Sequence, residues 1–277
     1  SVLNGNYDYS YFDYKNLKGY VNHIPMQQDA AGGHAYVLLC AYHKFGDPRY
    51  LEHCKSALEA LISQKESRFY EALLPLGVYV AAYLNATEGT NYNVSKLFDW
   101  VFDGCQSSSG RTGWGIIVGK WGDYDVSGLQ GSITDGGGYA FLMNSIKPAW
   151  PFIPLVKYQP EYAKAIGKWM LNNSSACRLF YPGDIDEKHQ WAPELKNITN
   201  NNVSYEGLRK ADDYGKESLK GVSPVAIGDG PKWIEGNPAE SMFSVYSSSP
   251  VGILGAIITK TDVEGILQLD CNATDFY

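Results

Sequence analysis

Between Arg111 and Tyr139 the chain reads RTGWGIIVGKWGDYDVSGLQGSITDGGGY, and this stretch concentrates the residue types that handle neutral polar molecules. Asp123 and Asp125 share one side of an extended segment, about 6.6 Å apart at a rise of about 3.3 Å per residue. That spacing touches the range in which two carboxyl groups act as acid and base on a glycosidic bond. Tyr124 and Val126 give Asp125 the more apolar neighbours, an environment that raises a carboxyl pKa and suits a general acid. Trp114 and Trp121 offer flat faces for stacking on sugar rings, and Arg111, Asp135 and Tyr139 offer hydrogen bonds to hydroxyls. A second cluster stands in SYEGLRK, where Tyr205, Glu206 and Arg209 place a phenol, a carboxylate and a guanidinium close together in sequence. Glu206 is the expected catalytic partner of Asp125 and Asp123, with Tyr205, Arg209 and His189 as expected substrate ligands. Plainer readings stand beside these. DYDVSG is also an ordinary Asp/Gly turn, SYEGLRK an exposed helical turn with an i,i+3 ion pair, and His189 a solvated loop histidine. DYDVSG matches the opening of a calcium loop too, but Thr134 stands where the bidentate glutamate belongs, so no metal or cofactor is expected.

Helices must position these groups, because the apolar residues around the stretch recur with a 3.6-residue period. Asp29 to Phe45 predicts a helix with Ala30, His34, Val37, Leu38 and Ala41 on its inward face, His34 being a hydrogen-bonded core histidine. Gly46-Asp47-Pro48 stops it and opens a second, carrying Tyr50, Leu51, Cys54, Leu58, Leu61 and Ile62 at amphipathic spacing. Tyr70 to Leu84 predicts an inner helix kinked at Pro75, and Asn93 to Phe102 a fourth, capped at Asn93 or Ser95. Further helices are expected over Tyr139–Ile146, capped by Asp135, and over Pro160–Leu171. A helical pair is expected over Pro238–Thr259. The proline-rich 148–160 segment reads as an extended connector. Residues 1–28 are irregular, and residues 105–135 and 181–236 are long loops, within a single domain of residues 1–277.

The chain has 277 residues, 44% of them hydrophobic, and a net charge of −7, which disfavours nucleic acid and anionic membranes as partners. A neutral partner and a monomer are expected. No apolar run is long enough to span a bilayer. The five cysteines show neither the CxxC nor the Cys/His spacing of a zinc site, and Cys40 and Cys54 are expected to be small buried hydrophobes. Seven N-x-S/T sequons, beginning at Asn85, Asn93, Asn172, Asn173, Asn197, Asn202 and Asn272, exceed the roughly two expected by chance and point to an exported protein whose leader is absent.

The segments GDPRYLEHCKSALEALISQ, DGGGYAFLMN, GKWMLNNSSACRLFYPGDIDEKHQ and SYEGLRK together resemble the six-hairpin, (α/α) toroid proteins of carbohydrate metabolism, in an exported bacterial branch. The resemblance covers Asp29 to about Phe180 and Pro238 to Thr259. It implies an all-α toroid-like array of helix hairpins, incomplete because about eight of the twelve helices can be counted, with the substrate cleft where the long loops gather. It also implies an oligo- or polysaccharide partner. A glycoside hydrolase using paired carboxylates is then the first expectation. A non-catalytic glycan-binding toroid is the alternative, and a polysaccharide lyase is the third. The lyase needs a cationic cleft, for which only Arg111, Lys120, Arg209 and Lys210 lie near the loops.

Overall fold

Gly46, at φ 69°, ends the first helix, α1 (Ala30–Phe45), and Asp47 starts the next, α2 (Pro48–Ile62), by accepting a hydrogen bond from the Arg49 N–H at 2.9 Å. These helices belong to a computed structural model that describes residues 6–22, 26–105, 113–134, 138–194, 196, 205–211 and 217–228. The chain divides into two units, Ser1–Gly115 with Pro154–Pro160, and Ile116–Ile153 with Glu161–Tyr277. In the first unit, α1 and α2 are followed by α3 (Leu73–Thr87) and by α4 (Val94–Asp103), capped by the Asn93 side chain on the Lys96 N–H at 3.0 Å. α1 packs on α2 and α3, and α3 on α4. Pro75 lies in the first turn of α3, where a missing N–H has no helical acceptor, so it helps start the helix and does not kink it. The N-terminal segment is not wholly irregular: β1 (Tyr11–Asp13) and β2 (Lys18–Tyr20) pair as an antiparallel hairpin.

The face of α1 expected to point inward is not the one that packs. Ala31, Gly32, Ala35 and Leu39 are buried, while His34, Val37 and Cys40 are exposed. Glycine decides the phase. Gly32 meets Gly77 of α3 backbone to backbone, and a Cβ on Gly32 would stand 2.6 Å from the Leu73 carbonyl oxygen and 3.3 Å from the Gly77 Cα. A hydrophobicity pattern gives glycine no weight, yet its lack of a side chain is what lets the helices close. Gly32→Ala gains about 1 kcal/mol of helix propensity but drives a methyl into backbone that cannot move aside, at about 1–3 kcal/mol. A net loss is expected in urea unfolding. Gly33→Ala meets only the mobile end of Leu73, and is expected to be neutral or stabilising. Equal effects at the two positions would contradict this packing.

The second unit is built on a sheet, which overturns the all-α, toroid-like expectation. β3 (Trp114–Ile116), β6 (Gln130–Ser132), β7 (Tyr139–Phe141), β8 (Gly207–Arg209) and β9 (Val225–Ile227) run in the order β3-β6-β7-β8-β9. The pairs β6–β7, β7–β8 and β8–β9 are antiparallel. Between β3 and β6 a small hairpin, β4 (Lys120–Trp121) and β5 (Tyr124–Asp125), folds the stretch expected to be loop. Tyr139–Phe141, expected to be helical, is strand, and only α5 (Leu142–Ile146) follows as helix. The proline-rich connector contains a helix, α6 (Ala149–Leu155), with Pro151 in its first turn, where no donor is missed. α7 (Ala163–Cys177) then holds the loop before β6: Trp169 Nε1 and Asn173 Nδ2 both donate to the Gly128 carbonyl at 2.9 Å. One face of the sheet, Ala140, Leu208 and Ala226, lies in a core with Val126, Leu129 and Phe180. The helical pair expected over Pro238–Thr259 lies outside the described residues. Among the described residues, no helix is long and apolar enough to cross a membrane.

The sequons have structural work of their own. Asn173 is 3% exposed and its amide also donates to the Ser145 carbonyl at 2.6 Å. The Asn85 amide donates to the Tyr92 carbonyl and accepts from the Tyr92 N–H, and Asn93 caps α4. These three side chains are explained by folding without any glycan.

Candidate functional site

Successive residues of a strand face opposite ways, so the residues that put Ala140 and Leu208 into the core turn Tyr139 and Arg209 to the other face. The register sets Ser132 opposite Tyr139, Tyr139 opposite Arg209, and Arg209 opposite Val225. The Tyr139 ring crosses β8 at Gly207, where any Cβ would collide with it. This crossing lets the Tyr139 hydroxyl donate to Glu206 Oε1 at 3.3 Å. The Arg209 guanidinium carbon stands 4.2 Å from the centroid of the same ring, a cation–π contact worth about 0.5–2 kcal/mol according to its desolvation. The backbone is pinned on both sides: Leu142 N–H donates to the Glu206 carbonyl at 2.8 Å and Lys210 N–H to the Gly138 carbonyl at 3.0 Å. Glu206 is 8% exposed, and Tyr139 and Arg209 are half-buried. A carboxylate, a phenol and a guanidinium thus share one place, with the acceptor and donor types that recognise hydroxyl groups. No family model, curated protein or solved structure matches the chain.

Tyr139, Glu206 and Arg209, each named from sequence, are brought together across 67 residues. Glu206 and Arg209 are not the helical ion pair of the plainer reading, since Gly207–Arg209 is strand. Asp125 is not in the environment expected for a general acid. It is exposed on β5, and the Ser127 hydroxyl, the Ser127 N–H at 2.9 Å and the charge of Lys120 hold its carboxyl below the usual range. It is the acceptor of a local turn, ionised at neutral pH. Asp123 is exposed at the tip of the same hairpin.

Trp114 and Trp121 do not border a cleft; each is 4% exposed. Trp114 packs at 4.9 Å from the Tyr70 ring, and Trp121 belongs to the core under the sheet. Tyr205 is 1% exposed, donating to Gln190 Oε1 at 3.1 Å, and burial pushes its phenol well above the ordinary value. His189 is not a solvated loop residue: its Nδ1 lies 2.6 Å from the Pro224 carbonyl, its ring 5.1 Å from Tyr124, and it is 8% exposed. Because a carbonyl only accepts, Nδ1 carries the hydrogen. Arg111 and Asp135 lie outside the described residues. The position missed from sequence is Gly207, whose signal was a glycine inside an otherwise ordinary run. Among the described residues no three His, Cys, Asp or Glu side chains are grouped to hold a metal.

Proposed function

We propose that the chain binds a neutral oligosaccharide at the Tyr139–Glu206–Arg209 cluster. The observation that carries this is the single group formed by the phenol on Glu206 and the guanidinium on the phenol ring. A carboxylate takes two hydroxyl hydrogens, a guanidinium offers a planar fork of donors, and a fixed geometry keeps the cost of ordering low. Binding is favoured over hydrolysis because a hydrolase needs two carboxyl groups, one of them protonated. Asp125, the expected acid, is held ionised in solvent.

Hydrolysis is kept as a second reading because a carboxyl group and a phenol, Glu206 and Tyr139, stand within hydrogen-bond reach of one another. A polyanionic lyase substrate fits the net charge of −7 poorly. The test is calorimetric titration of the whole chain with a panel of neutral oligosaccharides, run beside assays for reducing-end release and for the ultraviolet absorbance of unsaturated products. Saturable binding with neither product is the expected result. Release of reducing ends would move the assignment to the hydrolase, and failure to bind any of the panel would remove the proposal.

A further inference from the structure

Tyr79 and Tyr83 stand at positions i and i+4 of α3 and so share one face of that helix. Tyr158 reaches them from the turn after α6, where its N–H donates to the Leu155 carbonyl at 2.9 Å, and all three tyrosines belong to the first unit. The Tyr83 and Tyr158 rings lie 5.4 Å apart at 82°, edge to face, with Tyr79 6.1 Å from each. Edge-to-face contact is the geometry that packed aromatic rings prefer, and packing alone would account for it. The hydroxyl of Tyr83 adds something packing does not ask for. It lies 2.9 Å from Nε2 of His43, an exposed residue in the last turn of α1. A phenol on an imidazole nitrogen has a base to which its proton can go.

That base matters for one kind of chemistry. A phenol gives up an electron far more easily when its proton leaves in the same step, and a positioned base supplies the acceptor. Two phenoxyl rings already in contact then couple without having to find one another. Tyr83, Tyr158 and Tyr79 are half-buried, so a dissolved oxidant reaches their edges. Tyr79 is the least ready of the three, because burial and the neighbouring phenols push its hydroxyl well above the ordinary value. Tyr158 lies beyond the end of α6, so its side chain can swing the ring edge toward Tyr83 without breaking a helix.

We propose that Tyr83 and Tyr158 form an oxidative modification site, at which a soluble one-electron oxidant joins the two rings as dityrosine and His43 takes the first proton. Tyr83 gives one electron to the oxidant and its hydroxyl proton to His43 Nε2, which passes a proton on to water. Tyr158 gives one electron to a second equivalent of oxidant and its hydroxyl proton to water. The two phenoxyls form a carbon–carbon bond between ring positions next to oxygen, and the hydrogens on those carbons move to the oxygens. Two ring C–H bonds are lost overall, two protons enter solution, and two equivalents of oxidant are each reduced by one electron. The link ties α3 to the 154–160 segment and does not depend on the reading of the Tyr139–Glu206–Arg209 cluster. The experiment treats the dilute full chain with two equivalents of hexachloroiridate(IV), follows dityrosine fluorescence, and maps the joined peptides by mass spectrometry. A link between Tyr83 and Tyr158 within one molecule is expected as the main product. Tyr158→Phe, which removes one hydroxyl, is expected to abolish it. His43→Gln keeps a polar side chain at an exposed position but cannot take a proton; it is expected to slow the Tyr83–Tyr158 link about tenfold or more. The stacked Tyr11 and Tyr20 rings, 5.7 Å apart on the β1–β2 hairpin, are the internal reference, and their reaction is expected to be unchanged in both variants. A main product that joins Tyr79 or two separate molecules, or an unchanged rate in His43→Gln, would overturn the proposal.

Discussion

Trp121→Ala is expected to lower stability by about 3–5 kcal/mol, the range for removing a fully packed aromatic side chain. The indole is 4% exposed, lies among Ile117, Val126 and Leu129 under the sheet, and has its edge where a Cβ on Gly138 would lie within 3.4 Å of it. The backbone on both sides is tied to other segments: Gly122, at φ 56°, is so close to the Ser223 carbonyl that no side chain fits there. Such a site cannot collapse around the space left behind, which puts the cost toward the upper end. Since domains of this kind are stable by about 5–15 kcal/mol in total, the loss is a large fraction. It corresponds to a fall of roughly 10 °C in melting temperature. Had Trp121 bordered a cleft, truncation would have cost stability little and ligand affinity much. Thermal unfolding of Trp121→Ala within about 2 °C of wild type would contradict the packing described.

Asp29→Asn is the second large effect, and its sign changes with pH. Asp29 precedes α1, is 2% exposed, and its carboxylate accepts a long bond from the Tyr70 N–H at 3.4 Å. Burial, the main cause, and the nearby Glu71 charge push its pKa from 3.8 to about 7, against the lowering by backbone N–H groups. The folded state therefore holds the proton more tightly than the unfolded state. Stability from the neutral form is fully present below about pH 4 and is lost as pH rises to about 7. At about 1.36 kcal/mol per unit, the loss at pH 8 is on the order of 4 kcal/mol. Asparagine is neutral at every pH and keeps an acceptor for Tyr70, but brings amide hydrogens that cost about 1–3 kcal/mol if unpaired. The variant should thus be the more stable protein at pH 8 and the less stable at pH 4, with the two curves crossing between. Urea unfolding at a series of pH values checks it; parallel curves would show that Asp29 does not titrate in the fold.

The helices of the first unit were legible because their signals are local. Asp47, Pro48, Asn93 and Gly104 punctuate chains of apolar residues at helical spacing, and the elements begin and end at them. The sheet was not legible because its strands have three residues each, too few to display an alternation. Tyr139–Phe141 also runs without a break into the genuine helix at Leu142, so strand and helix read as one apolar run. The glycines misled in a different way. Those around Trp114 and Trp121 read as the yielding backbone of a cleft, whereas Gly104 stands against the Trp114 carbonyl, where a Cβ would come within 2.6 Å, and lets the tryptophan backbone be clamped. Asp125 was misread through its apolar neighbours in sequence; the Ser127 hydroxyl and N–H, two residues on, decide its charge. Tyr139, Glu206 and Arg209 were recognisable singly as groups that suit a sugar. Their meeting depends on a strand pairing between distant segments and on the absence of a side chain at Gly207, which no local pattern expresses.

The most direct measurement of the central claim is the affinity of wild type and of Glu206→Gln for one neutral oligosaccharide, followed by calorimetry at the same pH with both proteins shown folded by circular dichroism. Removing a charged acceptor that holds a ligand hydroxyl should cost about 1.5–3 kcal/mol, so the account predicts an affinity at least about tenfold lower for the variant. Equal affinities in two folded proteins would contradict it, and would place any glycan site of this chain away from Glu206.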